Sequence, residues 1–216
     1  WPWDLQSTMP NVEDNEWFYP ILYLWRKELV NSGGAGKFRG GNSGELAFVP
    51  HDTDRITLFT AAGHCAVPGP GLHGGSSPAT TRFTMRRGTQ VDEQIAQTGH
   101  MPSSVSELQG RSEAIAPKAF NVPQEPGDAF ILSWAAAGGY GDPLERDPER
   151  IVQDIERRNV TQEWAQSVYG VVFDDHGAID TQATQEQRMS LRKARLNAVS
   201  PQERQHLDLD TARQIA

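Results

Sequence analysis

The chain has 216 residues, 37% of them hydrophobic, and a formal charge of −8 at pH 7. That length fits one large domain or two small ones and is enough to bury a sizeable core. A single cysteine, Cys65, excludes a disulfide scaffold and any multi-cysteine metal site, no apolar run nears the roughly 18 residues of a membrane helix, and the negative charge argues against non-specific nucleic-acid binding.

The chain starts at Trp1, not Met, as expected of a chain trimmed, processed or cut from a longer one. Trp-Pro-Trp-Asp has neither the basic start nor the apolar core of a signal peptide, so a cytoplasmic location is expected. Aromatics crowd the first 25 residues: Trp1, Trp3, Trp17, Phe18, Tyr19, Tyr23 and Trp25. They fit either a surface packed on a partner or earlier chain, or packing on the chain's own core. Residues 21–30 read as a strand behind Pro20, followed by a turn or loop over 31–36. Residues 45–50 and 55–63 read as strands around a turn at His51–Asp54. Residues 68–78 form a Gly/Pro loop, 80–88 alternate like a strand, and 89–112 read as loop with a short element. A further strand covers 127–136 and ends in the loop 135–143.

Beyond Asp142 the pattern turns helical. Asp147-Pro148 is an N-cap with proline at the first helical position, opening a helix to about 158. Thr161 caps a second helix, 169–174 reads as a strand, and Asp180 opens a third helix over 180–197. Ser200-Pro201-Gln202-Glu203 is a capping box. The expected fold class is α+β, with a β-rich region over 1–141 and a helical region over 142–216 packed on the same domain.

The segment Gly33-Gly34-Ala35-Gly36-Lys37-Phe38-Arg39-Gly40-Gly41 imitates a phosphate loop but fails its pattern. Asn31 stands where the first Gly belongs, Phe38 replaces the Ser or Thr, and the following ELAFVP reads as a strand. The glycines therefore suit positive φ and close backbone approach. Lys37 and Arg39 project from this loop, to bind an anion or to pair with acidic neighbours. His64, Cys65 and His73 flank the Gly/Pro loop, yet their spacing matches no tight zinc pattern, and metal sites usually need three or four protein ligands. Cys65 beside His64 is compatible with a nucleophile without establishing one. His51–Asp54 lacks the Gly and distal Glu of a calcium loop and reads as a turn. Glu13, Asp14 and Glu16 form an acidic cluster that is either a solvated face or the lining of a site. No nucleophile elbow is present.

Five segments in order resemble the C-terminal part of a hydantoinase B/oxoprolinase family subunit: MPNVEDNEWFYPILYLWRKE (9–28), NSGGAGKFRGGNSGE (31–45), PGPGLHGGSSP (68–78), PGDAFILSWAAAGGYGDPLERDPERIVQDI (126–155) and SVYGVVFDDHGAID (167–180). SGGAGKFRGG and GGYGDPLERDPE are the most specific strings, and the first segment is closer to the acetone and acetophenone carboxylase branch. In the family pattern the Gly-rich run before GYGDP is longer; here Ala135-Ala136-Ala137 replace part of it.

The resemblance implies a multisubunit enzyme. A hydantoinase A-type ATPase subunit, with ATP and Mg, activates a carbonyl or cyclic amide substrate, and the B-type subunit completes the reaction. The expected activity is carboxylation of an enol phosphate in a water-poor channel. The alternatives are ATP-dependent cyclic amide hydrolysis of the hydantoinase, 5-oxoprolinase or lactamase type, and a non-catalytic assembly module. The family's metal-ligating residues belong mainly to the remaining N-terminal portion of the B-type subunit, so a divalent metal of the complex is not expected on this chain. The candidates here are Asn11 and Glu13 as polar lining, Arg39 as an anion contact, and His64 and His73 as proton carriers, since imidazoles suit neutral pH. Gly33, Gly34, Gly36, Gly40, Gly41, Gly138, Gly139 and Gly141 are the structural loop glycines.

Overall fold

The computed structural model describes residues 10–197; Trp1, Trp3 and the capping box at Ser200–Glu203 lie outside the described residues. In chain order the elements are α1 (Val12–Phe18), β1 (Ile21–Glu28), β2 (Gly44–Pro50), β3 (Ile56–Ala61), β4 (Arg82–Arg87), α2 (Val91–Thr98), β5 (Arg111–Ile115), β6 (Lys118–Gln124), β7 (Ala129–Ser133), α3 (Pro148–Glu156), α4 (Gln162–Tyr169) and α5 (Thr181–Leu196). Single 3-10 turns lie at Val105–Glu107 and Pro143–Glu145. Apart from the short α1 and α2, strands precede helices, in keeping with the α+β expectation.

The main sheet has the order β1-β2-β7-β4-β5 and is antiparallel throughout. Alternation sorts its side chains onto two faces. Ala47 and Val49 of β2 and Ala129 and Ile131 of β7 join Leu24 and Trp25 in one core, closed by Val91 of α2 and Leu108. The intervening Phe130 points the other way, with Phe83 and Met85 of β4, toward Val122 of β6. A separate ribbon of β3 and β6 lies over this second core. Each fully buried large apolar side chain contributes about 1.5–3 kcal/mol, which is why the alternation fixes the register.

Several expectations are revised here. Residues 89–112 hold α2, whose start lacks a side-chain cap because Gln90 stands there in a left-handed conformation. β5 and β6, which belong to different sheets, are not legible in the sequence, since most of their side chains are exposed and β6 contains Pro123. Residues 169–174 form no strand; one bridge, Phe173 to Ile179, closes the turn. The aromatic start divides between the two readings given above. Trp25 is buried and Tyr23 packs edge-on against Phe48, whereas Trp17, Phe18 and Tyr19 stand exposed at the end of α1.

The helices form where their caps stand. Asp147 accepts from the Glu149 amide, Thr161 Oγ1 from the Trp164 amide and Asp180 Oδ1 from the Ala183 amide. Each such cap contributes about 1 kcal/mol. Gly170, in the left-handed region, ends α4. Ile151, Val160, Ala165, Tyr169 and Val171 then bury against Ala35, so the helical region packs onto the first glycine-rich loop.

Candidate functional site

Three loops far apart in sequence, 31–43, 70–79 and 134–143, interleave into one layer. Their main chains bond to each other: Gly34 N–H to Ala137 O at 2.9 Å, Phe38 and Tyr140 reciprocally at 2.9 Å, Leu72 N–H to Gly139 O at 2.9 Å and Ser76 N–H to Ala35 O at 2.8 Å. The strands of backbone lie too close for side chains. A methyl built on Gly40 would overlap the Ala137 carbonyl, and one on Gly139 the Ala35 carbonyl. Gly33, Gly34, Gly36 and Gly138 also abut backbone, and Gly141 turns with φ +75°. Gly41 differs, because a methyl there would meet nothing within 4 Å. The alanine substitution at 135–137 is accommodated: these side chains reach partly or fully exposed positions, and the close approaches fall to Gly138 and Gly139.

The layer is clamped to the helical region. Asn31 bonds Thr161 twice, its Nδ2 to Oγ1 at 3.2 Å and its Oδ1 from the amide at 2.9 Å. Arg146 places two nitrogens on Asp154 Oδ2, at 2.7 and 3.2 Å, and donates to Lys37 O at 3.0 Å. Arg39 Nε stands 3.4 Å from Asp154 Oδ1, and its Nη1 donates to Gly40 O at 2.6 Å and Asn42 Oδ1 at 3.1 Å. Asp154 and Arg146 are buried and Arg39 is partly so. Of the two readings of Arg39, the structure shows the ion pair: its Nε lies within ion-pair distance of Asp154 without making a hydrogen bond to it. Lys37 is paired with Glu145 at 3.5 Å on the surface. Tyr169 is fully buried beside this cluster, and burial pushes its phenol up, keeping it protonated.

Asp142 ties the end of the layer to α5. Burial raises its carboxyl, but the Leu144 amide and Arg195 guanidinium, each bonded to Oδ1, outweigh that and hold it below the ordinary carboxylate range. A depressed folded value gives stability that is present above the unfolded value and lost as pH falls through the folded one. The stability gap between wild type and Asp142→Asn is therefore expected to be open at neutral pH and to narrow below about pH 4. Urea titrations across that range check this, and a gap independent of pH would contradict it.

The rim of the layer is apolar and exposed. Tyr140 stands between Phe38 and His73, at ring distances of 6.2 and 4.9 Å, and Leu72 bridges to the same residue. Phe38, Leu72 and Tyr140 are each about half exposed. Of the two histidine candidates, only His73 belongs to this rim. His64 lies in the loop after β3, where its carbonyl accepts from Thr81 at 3.0 Å; both histidines have positive φ. The Cys65 thiol points at the Ala62 and Gly63 carbonyls, and burial raises its pKa, the opposite of nucleophile activation. Asn11 occupies the N-cap position of α1 without a side-chain cap bond, and Glu13 sits exposed in its first turn. No hydrogen bond joins either to the glycine-rich layer. Among the described residues no three His, Cys, Asp or Glu side chains converge as metal ligands. Sequence reasoning missed Phe38, Leu72 and Tyr140 as site residues; all three lie in the glycine-rich segments it did single out, and only the tertiary meeting of the loops makes them one patch.

The fold and this layer define a protein class. The family model for hydantoinase B/oxoprolinase matches residues 3–143, and the chain belongs to that family. It is similar to the acetone carboxylase alpha subunit of Xanthobacter autotrophicus, 30% identical over 212 residues, a match taking in 90% of this chain and 27% of that subunit. It is also similar to the caprolactamase subunit beta of Pseudomonas jessenii, 26% identical over 82% of this chain and 28% of that subunit. A nucleotide-free acetone carboxylase structure superimposes with a TM-score of 0.76 at 27% identity, over 94% of this chain and 29% of that one. The chain thus spans about a quarter of the length of the relatives it matches. No helix among the described residues is long and apolar enough to cross a membrane.

Proposed function

We propose that this chain is part of the B-type subunit of a cytoplasmic, ATP-dependent, ketone carboxylase-like complex. The enol phosphate of a small carbonyl substrate is made on an A-type ATPase subunit and carboxylated in a channel that the B-type subunit shields from water. The observation that carries the reading is the clamped glycine-rich layer with its exposed apolar rim, in a chain of this family. A rigid apolar wall is what such an intermediate needs, because water would hydrolyse it.

In the glycine loop the amides of Gly34, Lys37, Phe38 and Gly40 bond carbonyls within the layer, and the loop runs on into β2 rather than a helix, unlike a phosphate loop. The proposal puts ATP and Mg on the partner ATPase, and a divalent metal of the complex on the remaining N-terminal portion of the B-type subunit. In the channel reading Phe38, Leu72 and Tyr140 exclude water, and the ring contact with Tyr140 favours His73 over His64 as proton carrier. The polar-lining roles of Asn11 and Glu13 attach to α1.

The test starts from the native complex, identified by intact mass spectrometry and metal assay, and asks whether ATP hydrolysis needs bicarbonate and a ketone. In that complex His73→Asn is expected to lower turnover by about a hundredfold or more with assembly intact, the usual scale of general acid–base catalysis. Undiminished turnover would remove His73 from the chemistry. The similarity to a caprolactamase subunit favours a second reading, hydrolysis of a cyclic amide with water as the acceptor; lactam-dependent ATP hydrolysis without bicarbonate would select it. A chain that assembles with its partners but, expressed alone, shows neither metal nor turnover would instead select a non-catalytic assembly module.

A further inference from the structure

The ribbon of β3 and β6 pairs with no other strand among the described residues. Its inner face is used: Leu58 and Val122 pack with Phe83, Met85 and Phe130. The outer face of such a covering layer ordinarily alternates to polar side chains. Phe59 and Phe120 break that alternation. They are 72% and 77% exposed and line one shallow groove together with Thr57 and Asn121.

The two rings are held out by a built feature of the ribbon. A bulge separates Leu58 from Thr60, and across it Asn121 adopts φ +55°. Thr60, buried, locks the bulge by donating to Ala116 O at 2.7 Å and accepting from the Ala119 amide at 3.0 Å. Bulges re-aim side chains and recur where a strand meets something else. Single exposed apolar residues need no explanation, but two exposed aromatics lining one groove on a ribbon with two unpaired edges among the described residues are a docking template.

We propose that this outer face seats an apolar extended segment of the polypeptide that supplies the rest of the B-type subunit, an inference that rests on the reading of the chain given under Proposed function. The length argument selects that occupant. The matched relatives carry nearly three times as much additional chain as this one spans, and that chain must cover faces here. Both faces of the main sheet are already covered, one by α2 and one by the ribbon itself, so of the sheet layers it is the ribbon that presents an uncovered face, beside the exposed aromatics of α1 and of the glycine-layer rim. A second copy is disfavoured as occupant, since two chains of charge −8 repel.

The test uses the native complex with the photoreactive residue p-benzoylphenylalanine at position 59 or 120, and mass spectrometry of the cross-linked peptides. Adducts are expected on the companion B-type polypeptide. The double variant Phe59→Ser/Phe120→Ser is expected to keep its thermal unfolding, because both side chains lie outside the core, and to retain that polypeptide roughly tenfold less well, the scale of lost aromatic anchors. Adducts on a second copy or on the ATPase subunit would overturn the proposal, as would no adducts together with full retention by the double variant. If the wild-type chain retains no companion at all, the subunit reading itself fails and the docking face with it. If the companion is retained equally by wild type and variant, the docking face alone fails.

Discussion

Replacing Asp154 by alanine is expected to cost about 3–5 kcal/mol of folding stability, the scale for breaking a buried ion pair from one side. Asp154 serves two guanidiniums at once, Arg146 at 2.7 Å and Arg39 at 3.4 Å; it and Arg146 are buried and Arg39 is partly so. Truncating it leaves two positive charges without their shared counter-charge in a largely desolvated site. Asp154→Asn keeps the shape and one acceptor but not the charge, so it should fall between wild type and alanine. The loss would spread beyond α3, because Arg146 also holds Lys37 O and Arg39 also holds Gly40 O. Urea denaturation with a fluorescence probe measures it. A loss under about 1 kcal/mol, typical of a surface pair, would mean the cluster is solvated after all.

Gly139→Ala is expected to destabilise by about 3 kcal/mol or more, at the upper end of overpacking costs, because the methyl would meet the Ala35 main chain and not a side chain that could swing aside. For a chain of this size that corresponds to a fall of roughly 6–12 °C in Tm. Gly41→Ala is the matched control. It lies in the same glycine run but faces open space without positive φ, so the change should be neutral or stabilising by about 0.5 kcal/mol through the unfolded chain. Calorimetry on the pair decides the matter. Equal losses would show that the run matters for its flexibility and not for its closeness.

Much of the fold was legible in the sequence. β1, β2, β3, β4 and β7 carry the strand signals of β-branched and aromatic residues between turns, and α3, α4 and α5 begin at Asp147, Thr161 and Asp180, whose side chains make the expected capping bonds. What escaped had lost its local signal. The caps of α1 and α2, Asn11 and Gln90, make no side-chain bond, and β5 and β6 expose most of their side chains, so neither periodicity nor capping marks them. The family was legible because its glycine strings are long and specific. The candidate site was legible only in halves: the glycines pointed to close approach, but which loop approaches which is decided by contacts between segments far apart in the sequence, such as Ala35 with Ser76 and Gly34 with Ala137. Arg39 shows the limit well, since its partner Asp154 lies in an element that nothing near the loop announces.

The interleaved glycine loops also set a schedule for the newborn chain. Gly34 finds its acceptor in Ala137, roughly 100 residues downstream, so at ordinary ribosomal speeds of about 5–20 residues per second the first loop waits roughly 5–20 s for its third companion to be synthesised. During that interval its five glycines leave their peptide groups without side-chain cover. β1 and β2, which flank it, can pair as soon as both emerge and so hold its two ends together, leaving only the final threading of residues 134–143 to complete the layer. The layer thus closes only after its third loop is made, and the helices that clamp it, α3 and α4, emerge later still.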